Sequence, residues 1–461
     1  MASTAAKDKD FGRGKVSSHI ISIAVPSFAA QLVQLLYSVV DRIYLGHYEE
    51  STQMSLTGLG LCFPLISFVL AMTALCAGGA APLSSIERGR KDLVRGEQII
   101  GNAFLLILAS SLAVMLLYYL LLDPLLTLCG AGPASLPYAR QYMLYYTAGT
   151  FFAMAGTGLL FCVNAQGFAR EGMCFVLTAC IVNIVLDPIL IFYCDLGIKG
   201  AAIASVIAQL VMFLQVLHFL TRGRAILKLR RERCRFDKEL CKAIMSLGVA
   251  GFVMQGTNAL VLITCNSTLR RFGGDAMIGI MTIVSSIRDL ISLPLISLTR
   301  SAQPVISFNL GAGKLGRIME AVKFMSVLGL GYMLLSWAAV VIFPRPLLAL
   351  FNLPSDLMDE GIHAVHLYFF GFCFMALHSA GQSTFVGLNL PRPAIFFSLF
   401  RKAFIVVPLT LLLPWCWDLG SDGVFIAEPI SNVLSGVICF SCMWWTLRRL
   451  MREKTESPLV Q

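Results

Sequence analysis

Charge is scarce in this chain: 13% of its 461 residues are Asp, Glu, Lys or Arg, against roughly 25% in a soluble domain. With 57% apolar residues and a mean hydropathy of +0.77, it carries more apolar surface than one water-soluble core can bury. It has no Gly-x-x-x-x-Gly-Lys-[Ser/Thr] loop and no polar domain large enough for ATP, which excludes a primary pump acting alone. His-Glu-x-x-His and Gly-x-Ser-x-Gly are missing too, so nothing supports an intramembrane hydrolase and no enzymatic activity is expected. Cysteine is plentiful, at 14 residues, but most thiols stand singly inside apolar runs, where they act as small hydrophobes. The close pair Cys439 and Cys442 has no His or acidic neighbour to complete a metal site.

What is present is a series of about twelve apolar runs, from 17–46 to 423–445, each near or above the roughly 20 residues that cross a bilayer. The first is too long and too polar, with Gln31, Gln34 and Asp41, to be a cleaved signal. Twelve spans put most basic residues on one side: Lys7, Lys9, Arg13 and Lys15, the loop from Arg88 to Arg95, the long loop from Arg222 to Lys242, and Arg448 to Lys454. The positive-inside rule then places both termini in the cytoplasm and accounts for the net charge of +10 without nucleic acid. The expected organisation is a cytoplasmic tail 1–16, a six-helix lobe 17–221, a basic linker 222–242, a second six-helix lobe 243–446 and a tail 447–461.

The two lobes echo each other at an offset of about 223 residues: Pro82 matches Pro304, Gly89 matches Gly311, Gln31 matches Gln255, and Gly200-Ala-Ala-Ile-Ala204 lies over Gly423-Val-Phe-Ile-Ala427. Six spans per copy give both copies the same orientation, a transporter architecture with sites held at or between the lobes. Within it, Asp187 sits in an otherwise apolar run. A carboxylate at the centre of a membrane helix costs about 3 kcal/mol, so it is normally kept for ions, protons or substrate.

Several stretches together resemble the multidrug and toxic compound extrusion (MATE) family over nearly the whole chain: Pro26 followed by Tyr37-Ser-Val-Val-Asp-Arg-Ile-Tyr-Leu-Gly-His47; Asn183-Ile-Val-Leu-Asp-Pro-Ile-Leu190; Gly200-Ala-Ala-Ile-Ala-Ser205; Pro304-Val-Ile-Ser-Phe-Asn-Leu-Gly-Ala-Gly-Lys314; and Arg401-Lys-Ala-Phe-Ile-Val-Val-Pro408. Ala427-Glu-Pro-Ile-Ser431 further looks like the MepA-type bacterial branch. The resemblance implies an all-α integral membrane protein of twelve transmembrane helices. It implies a monomeric antiporter of the plasma membrane that expels cationic or amphipathic drugs, antibiotics included, in exchange for H+ or Na+ by alternating access, with no other cofactor. It also implies a cation-coupling set of Asp41, Asn183, Asp187 and Ser205, with Tyr37 nearby; sodium, if it is the ion, would be held by Asp41, Asn183 and Asp187. Ser205 replaces a threonine common at that position, which leaves the ion open. A flippase of lipid-linked sugars from the same superfamily is the alternative, and a gated channel a third reading.

Helix geometry supports the same cluster. Asp41 and Asp187 fall in the outer parts of spans that rise from the cytoplasm, and Ser205 lies roughly 7 Å into the descending sixth span at 1.5 Å per residue. Asn183 is one turn from Asp187 and faces the same side. Pro26 and Pro188 each remove a helical donor and are candidates to bend their helices, or to make static kinks. The second lobe offers Arg288, His378, Arg401 and Glu428 as a possible substrate or second polar site; Glu428 can hold substrate charge or lock helices in an ion pair. Arg288 and its neighbour Asp289 leave the helix in different directions and need not pair. Phe151, Phe152, Met154, Met281 and Phe374 can line a pocket for flat cations or pack as core.

Overall fold

Every apolar run folds as helix, because in a bilayer each backbone N–H and C=O must find its partner within its own segment. The computed structural model describes residues 10–46, 52–351, 353–416 and 419–456, among which there is no strand. Most of the expected N-terminal tail, His47 of the motif above and residues 457–461 of the C-terminal tail lie outside the described residues. Among the described residues ten helices are long and apolar enough to cross a membrane, and two bent pairs bring the count to twelve if each is one span. In chain order these are α1 (Val16–Gly46), α2 (Thr52–Ala77, continued by Ala80–Gly89), α3 (Leu93–Leu128), α4 (Leu136–Ala148 and Thr150–Ala165), α5 (Ala169–Pro188, ending in the π-helical turn Ile189–Tyr193) and α6 (Ile198–Thr221). The second half holds α7 (Lys238–Phe272), α8 (Gly274–Gly311), α9 (Leu315–Ile342), α10 (Ser355–Phe369 and Phe372–Gly387), α11 (Pro391–Trp415) and α12 (Ser421–Glu456).

The breaks have local causes. In α3, Leu121 leaves the helical region (φ −121°, ψ 23°) because Pro124 denies Leu120 its hydrogen-bond donor and crowds that carbonyl. α4 bends by 56° at Gly149, where a Cβ would lie 2.5 Å from Cγ2 of Val206 on α6. α10 bends by 41° beside Gly371, 222 residues further on, where a Cβ would lie 2.7 Å from Cγ2 of Val433 on α12. At both bends the missing side chain lets the broken span approach its neighbour.

Backbone geometry repeats where the sequence does not. The left-handed residue ending α2 is Lys91 (φ 66°) and its counterpart after α8 is Gly313 (φ 68°); Gly167 (φ 89°) pairs in the same way with Asn389 (φ 58°), and Gly197 with Gly420, both at 52°. Each pair is one repeat apart. Only the last keeps its residue type, so the repeat is clearer in the turns than in the letters.

The chain forms two compact units: one takes the residues up to Arg13 and Ile21–Phe252, the other Gly14–Ile20 and Val253 onward. The division thus falls inside α7, not in the basic linker. The reason is that the linker is strapped to the first unit. Gln166, which caps α4, accepts from Leu227 N (2.8 Å) and donates to its carbonyl (3.3 Å); Glu97 of α3 pairs with Arg230 (3.3 Å); and Asn102 accepts from Asp237 N (2.8 Å). The first turns of α7 then pack backbone to backbone on α2, where a Cβ on Gly79 would meet the Ile244 carbonyl oxygen at 2.2 Å and one on Gly248 the Leu75 oxygen at 2.0 Å. Small residues at such crossings are how membrane helices approach closely. Gly248→Ala is therefore expected to destabilise the purified protein by about 1–3 kcal/mol or more, read as a lower thermal unfolding temperature. Gly256→Ala, on the same helix with open space around it, should leave that temperature unchanged.

Candidate functional site

Among the described residues the first unit holds a buried acidic cluster on α1 and α5. Asp187 is fully buried on α5 and Asn183, one turn before it, is 1% exposed. Asn183 Nδ2 donates to Asp187 Oδ1 at 3.3 Å, the i,i+4 contact that a helix provides. Asp187 Oδ2 and Asn183 Oδ1 find no hydrogen-bond partner among the described residues, and no basic side chain pairs with Asp187 there. Asp41 of α1, also buried, lies within electrostatic reach of Asp187. Tyr37, one turn before Asp41, lies within reach of both acids and packs with Ala30, Val176 and Cys180 in the seam joining α1 to α5.

Two further tyrosines complete the cluster. Tyr142 and Tyr146 of α4 stack with ring centroids 5.7 Å apart, and both stand within the field of Tyr37 or Asp41. Gln209 of α6 donates to the Tyr146 hydroxyl at 3.3 Å. These three were missed in the sequence, although a Tyr-x-x-x-Tyr spacing and an amide in an apolar span were signals for them. Ser205 is half-buried on α6 and makes no hydrogen bond with Asn183 or Asp187; Gln209, one turn deeper, is the α6 residue tied to the cluster.

The two prolines behave differently. α1 runs as one helix through Pro26. At Pro188 the α-helix ends and the chain continues as a π-helical turn, and Pro188 has no N–H to offer the Ile184 carbonyl one turn before it. Unpartnered acceptor oxygens beside a second carboxylate suit a proton or a hard cation such as sodium, which takes oxygen ligands.

The second unit carries its counterpart with different chemistry. At offsets of 222 to 224 residues, as between Pro82 and Pro304 or Gln31 and Gln255, Asp41 corresponds to Cys265, Asp187 to Thr410, Ser205 to Glu428 and Tyr146 to Tyr368. Cys265 Sγ and Thr410 Oγ1 lie 4.0 Å apart, so the equivalent pair meets again but without charge. Around it α11 winds into a second π-helical stretch, Phe400–Val406, of the kind often found at functional sites. From this stretch Lys402 Nζ donates to Glu428 Oε1 at 3.3 Å and Arg401 Nη2 lies 3.7 Å from the same oxygen, all three side chains being buried. Glu428 is thus held in an ion pair between helices. Arg401 also donates to Asn432 Oδ1 at 2.8 Å, and buried His378 lies in its field.

Arg288 of α8 donates to the Tyr368 hydroxyl at 2.9 Å and, where helix geometry left the pairing open, curls back onto Asp289 with contacts of 2.8 and 2.9 Å. Its long side chain overcomes the divergence of neighbouring positions. Of the aromatic and Met candidates, Phe151 and Phe152 pack with Phe213 at 5.3 and 5.9 Å, while Met154 and Met281 are core residues. His363 meets Asp422 at 2.9 Å and His366 the Val341 carbonyl at 3.1 Å.

A tandem six-helix repeat with a buried polar cluster in each half defines a polytopic membrane transporter. The MatE family model matches residues 26–189 and 252–412, and the chain belongs to that family of transporters. It is 23% identical over 440 residues to the FAD transporter of Shewanella oneidensis, covering 91% of this chain and 93% of that one. It is also 23% identical over 463 residues to the multidrug export protein MepA of Staphylococcus aureus, covering 97% of each. Its fold matches that of a MATE protein solved in a bent conformation, with a TM-score of 0.91 at 20% identity over 97% of this chain and 99% of the other.

Proposed function

We propose that the chain is a secondary active exporter, an antiporter that expels amphipathic organic compounds in exchange for H+ or Na+ taken up at Asp41, Asn183 and Asp187. The observation that carries this reading is Asp187 itself, fully buried with one oxygen unpartnered and no basic partner among the described residues. A carboxylate in such a place is stable only when a proton or a cation neutralises it, so its occupancy follows the ion gradient. The π-helical turn after Pro188 supplies a segment that can change geometry with that occupancy. A multidrug exporter and a FAD transporter among the relatives are consistent with organic cargo. The reading places the protein in the plasma membrane as a monomer and requires no cofactor beyond the coupling ion.

Transport into vesicles with imposed proton and sodium gradients, applied separately, tests it. One gradient should drive dye accumulation and the other should not; accumulation under neither would remove the antiporter reading. The basic loops imply that both ends face the cytoplasm. Tags at residues 1 and 461 should both resist protease added to intact cells, and cleavage of either would reverse the topology.

A further inference from the structure

The second unit buries more positive than negative charge. Arg288 is balanced by Asp289, whose side chain is 71% exposed, but Arg401 and Lys402 share the single carboxylate of Glu428. Among the described residues one cation is left over, at a site where the side chains of Arg401, Lys402 and Glu428 are at most 10% exposed. Hydrogen-bonding capacity is unbalanced in the same direction. Asn432 Nδ2 is a fully buried donor with no acceptor among the described residues, and Lys402 gives Glu428 only one of its ammonium protons.

The groups form one site, because Arg288, Lys402 and Glu428 all act electrostatically on Cys265, and Arg288 and Glu428 both act on Tyr368. An unbalanced buried cation costs several kcal/mol unless a counter-charge joins it. At offsets of 222 to 224 residues the first unit has uncharged residues opposite Arg288, Arg401 and Lys402, and Ser205 opposite Glu428, so the cationic character belongs to this lobe and not to the repeat.

We propose that the Arg288–Arg401–Lys402–Glu428 cluster is a binding site for an oxyanion, the carboxylate or phosphate of an amphipathic organic cargo. An oxyanion brings the missing negative charge and several acceptor lone pairs at once, and arginine's fork matches it in shape. Arg288, whose side chain is 25% exposed, is the approach to the buried pair. The inference rests on the exporter reading only in taking the ligand to be cargo.

The test uses purified full-length protein in phosphatidylcholine nanodiscs, titrated with fluorescein and with rhodamine 6G, dyes of similar aromatic body and opposite charge. Fluorescein should bind at least tenfold more tightly than rhodamine 6G. Lys402→Gln leaves Arg401 and Glu428 as a balanced pair; it should unfold no earlier than wild type and bind fluorescein at least tenfold more weakly. Arg288→Gln, which leaves Asp289 largely in solvent, should show the same loss and serves if Lys402→Gln does not fold. Tighter binding of rhodamine 6G, or unchanged fluorescein affinity in the folded variants, overturns the proposal. Replacing phosphatidylcholine with phosphatidylglycerol separates the sources: fluorescein binding that persists supports cargo, and a tenfold loss assigns the oxyanion to a lipid head group and overturns the cargo claim. No gradient enters this titration, so a failure of ion coupling at Asp187 would leave its result unchanged.

Discussion

Asp187→Asn is expected to reduce efflux from energised cells to the background of cells lacking the protein, while the purified variant still folds and binds dye. The substitution keeps the shape of the side chain and its place beside Asn183 but removes the charge that, on the proposed antiporter reading, the incoming ion neutralises. Because it deletes a buried carboxylate with no basic partner among the described residues, it should not lower the unfolding temperature. Asp41→Asn should give a similar loss of efflux. The double variant should be no worse than either single one, since residues that act as one unit are not additive. Dye efflux at the wild-type rate from Asp187→Asn cells would move the coupling site elsewhere, with the cluster around Glu428 the next place to look.

Glu428→Gln should act on stability first. It leaves Arg401 and Lys402 buried together without their shared carboxylate, and breaking a buried pair by removing one partner costs about 3–5 kcal/mol. Thermal unfolding of the purified variant should fall well below wild type, in contrast to Lys402→Gln, which removes the surplus cation and should not destabilise. The same variant should gain more thermal stability from added fluorescein than wild type does, because a ligand that binds only the folded state stabilises it by mass action. A Glu428→Gln protein as stable as wild type would show that the two cations find their counter-charge elsewhere.

The architecture was legible because bilayer-length apolar runs and the one-sided placement of Lys and Arg leave few alternatives. The acidic cluster was legible for a related reason: Asp187 stands out in a run with no other charge, and the i,i+4 spacing brings Asn183 beside it. Residues contributed by other helices were harder to place. Tyr142, Tyr146 and Gln209 reach the cluster through the packing of α4 and α6; Ser205 came from the family resemblance and its depth in the span, which do not show that Gln209, one turn further on, would bond Tyr146. In the second half, single letters pointed at Glu428, Arg288 and Arg401, but their charge balance depends on which cations converge on which oxygen. The π-helical stretch that brings Arg401 and Lys402 to one carboxylate has no signature in the apolar pattern. The unit boundary was displaced into α7 by Gln166, Glu97 and Asn102, polar residues whose partners lie more than sixty positions away.

The central claim is that the ion at Asp187 and the cargo are linked, and the most direct measurement is the ion exchanged when dye binds to purified protein in weakly buffered solution. Wild type should release protons on binding, or show a dye affinity that falls as sodium rises, and Asp187→Asn should bind dye with neither response. An identical proton release and sodium dependence in the two proteins would contradict the account.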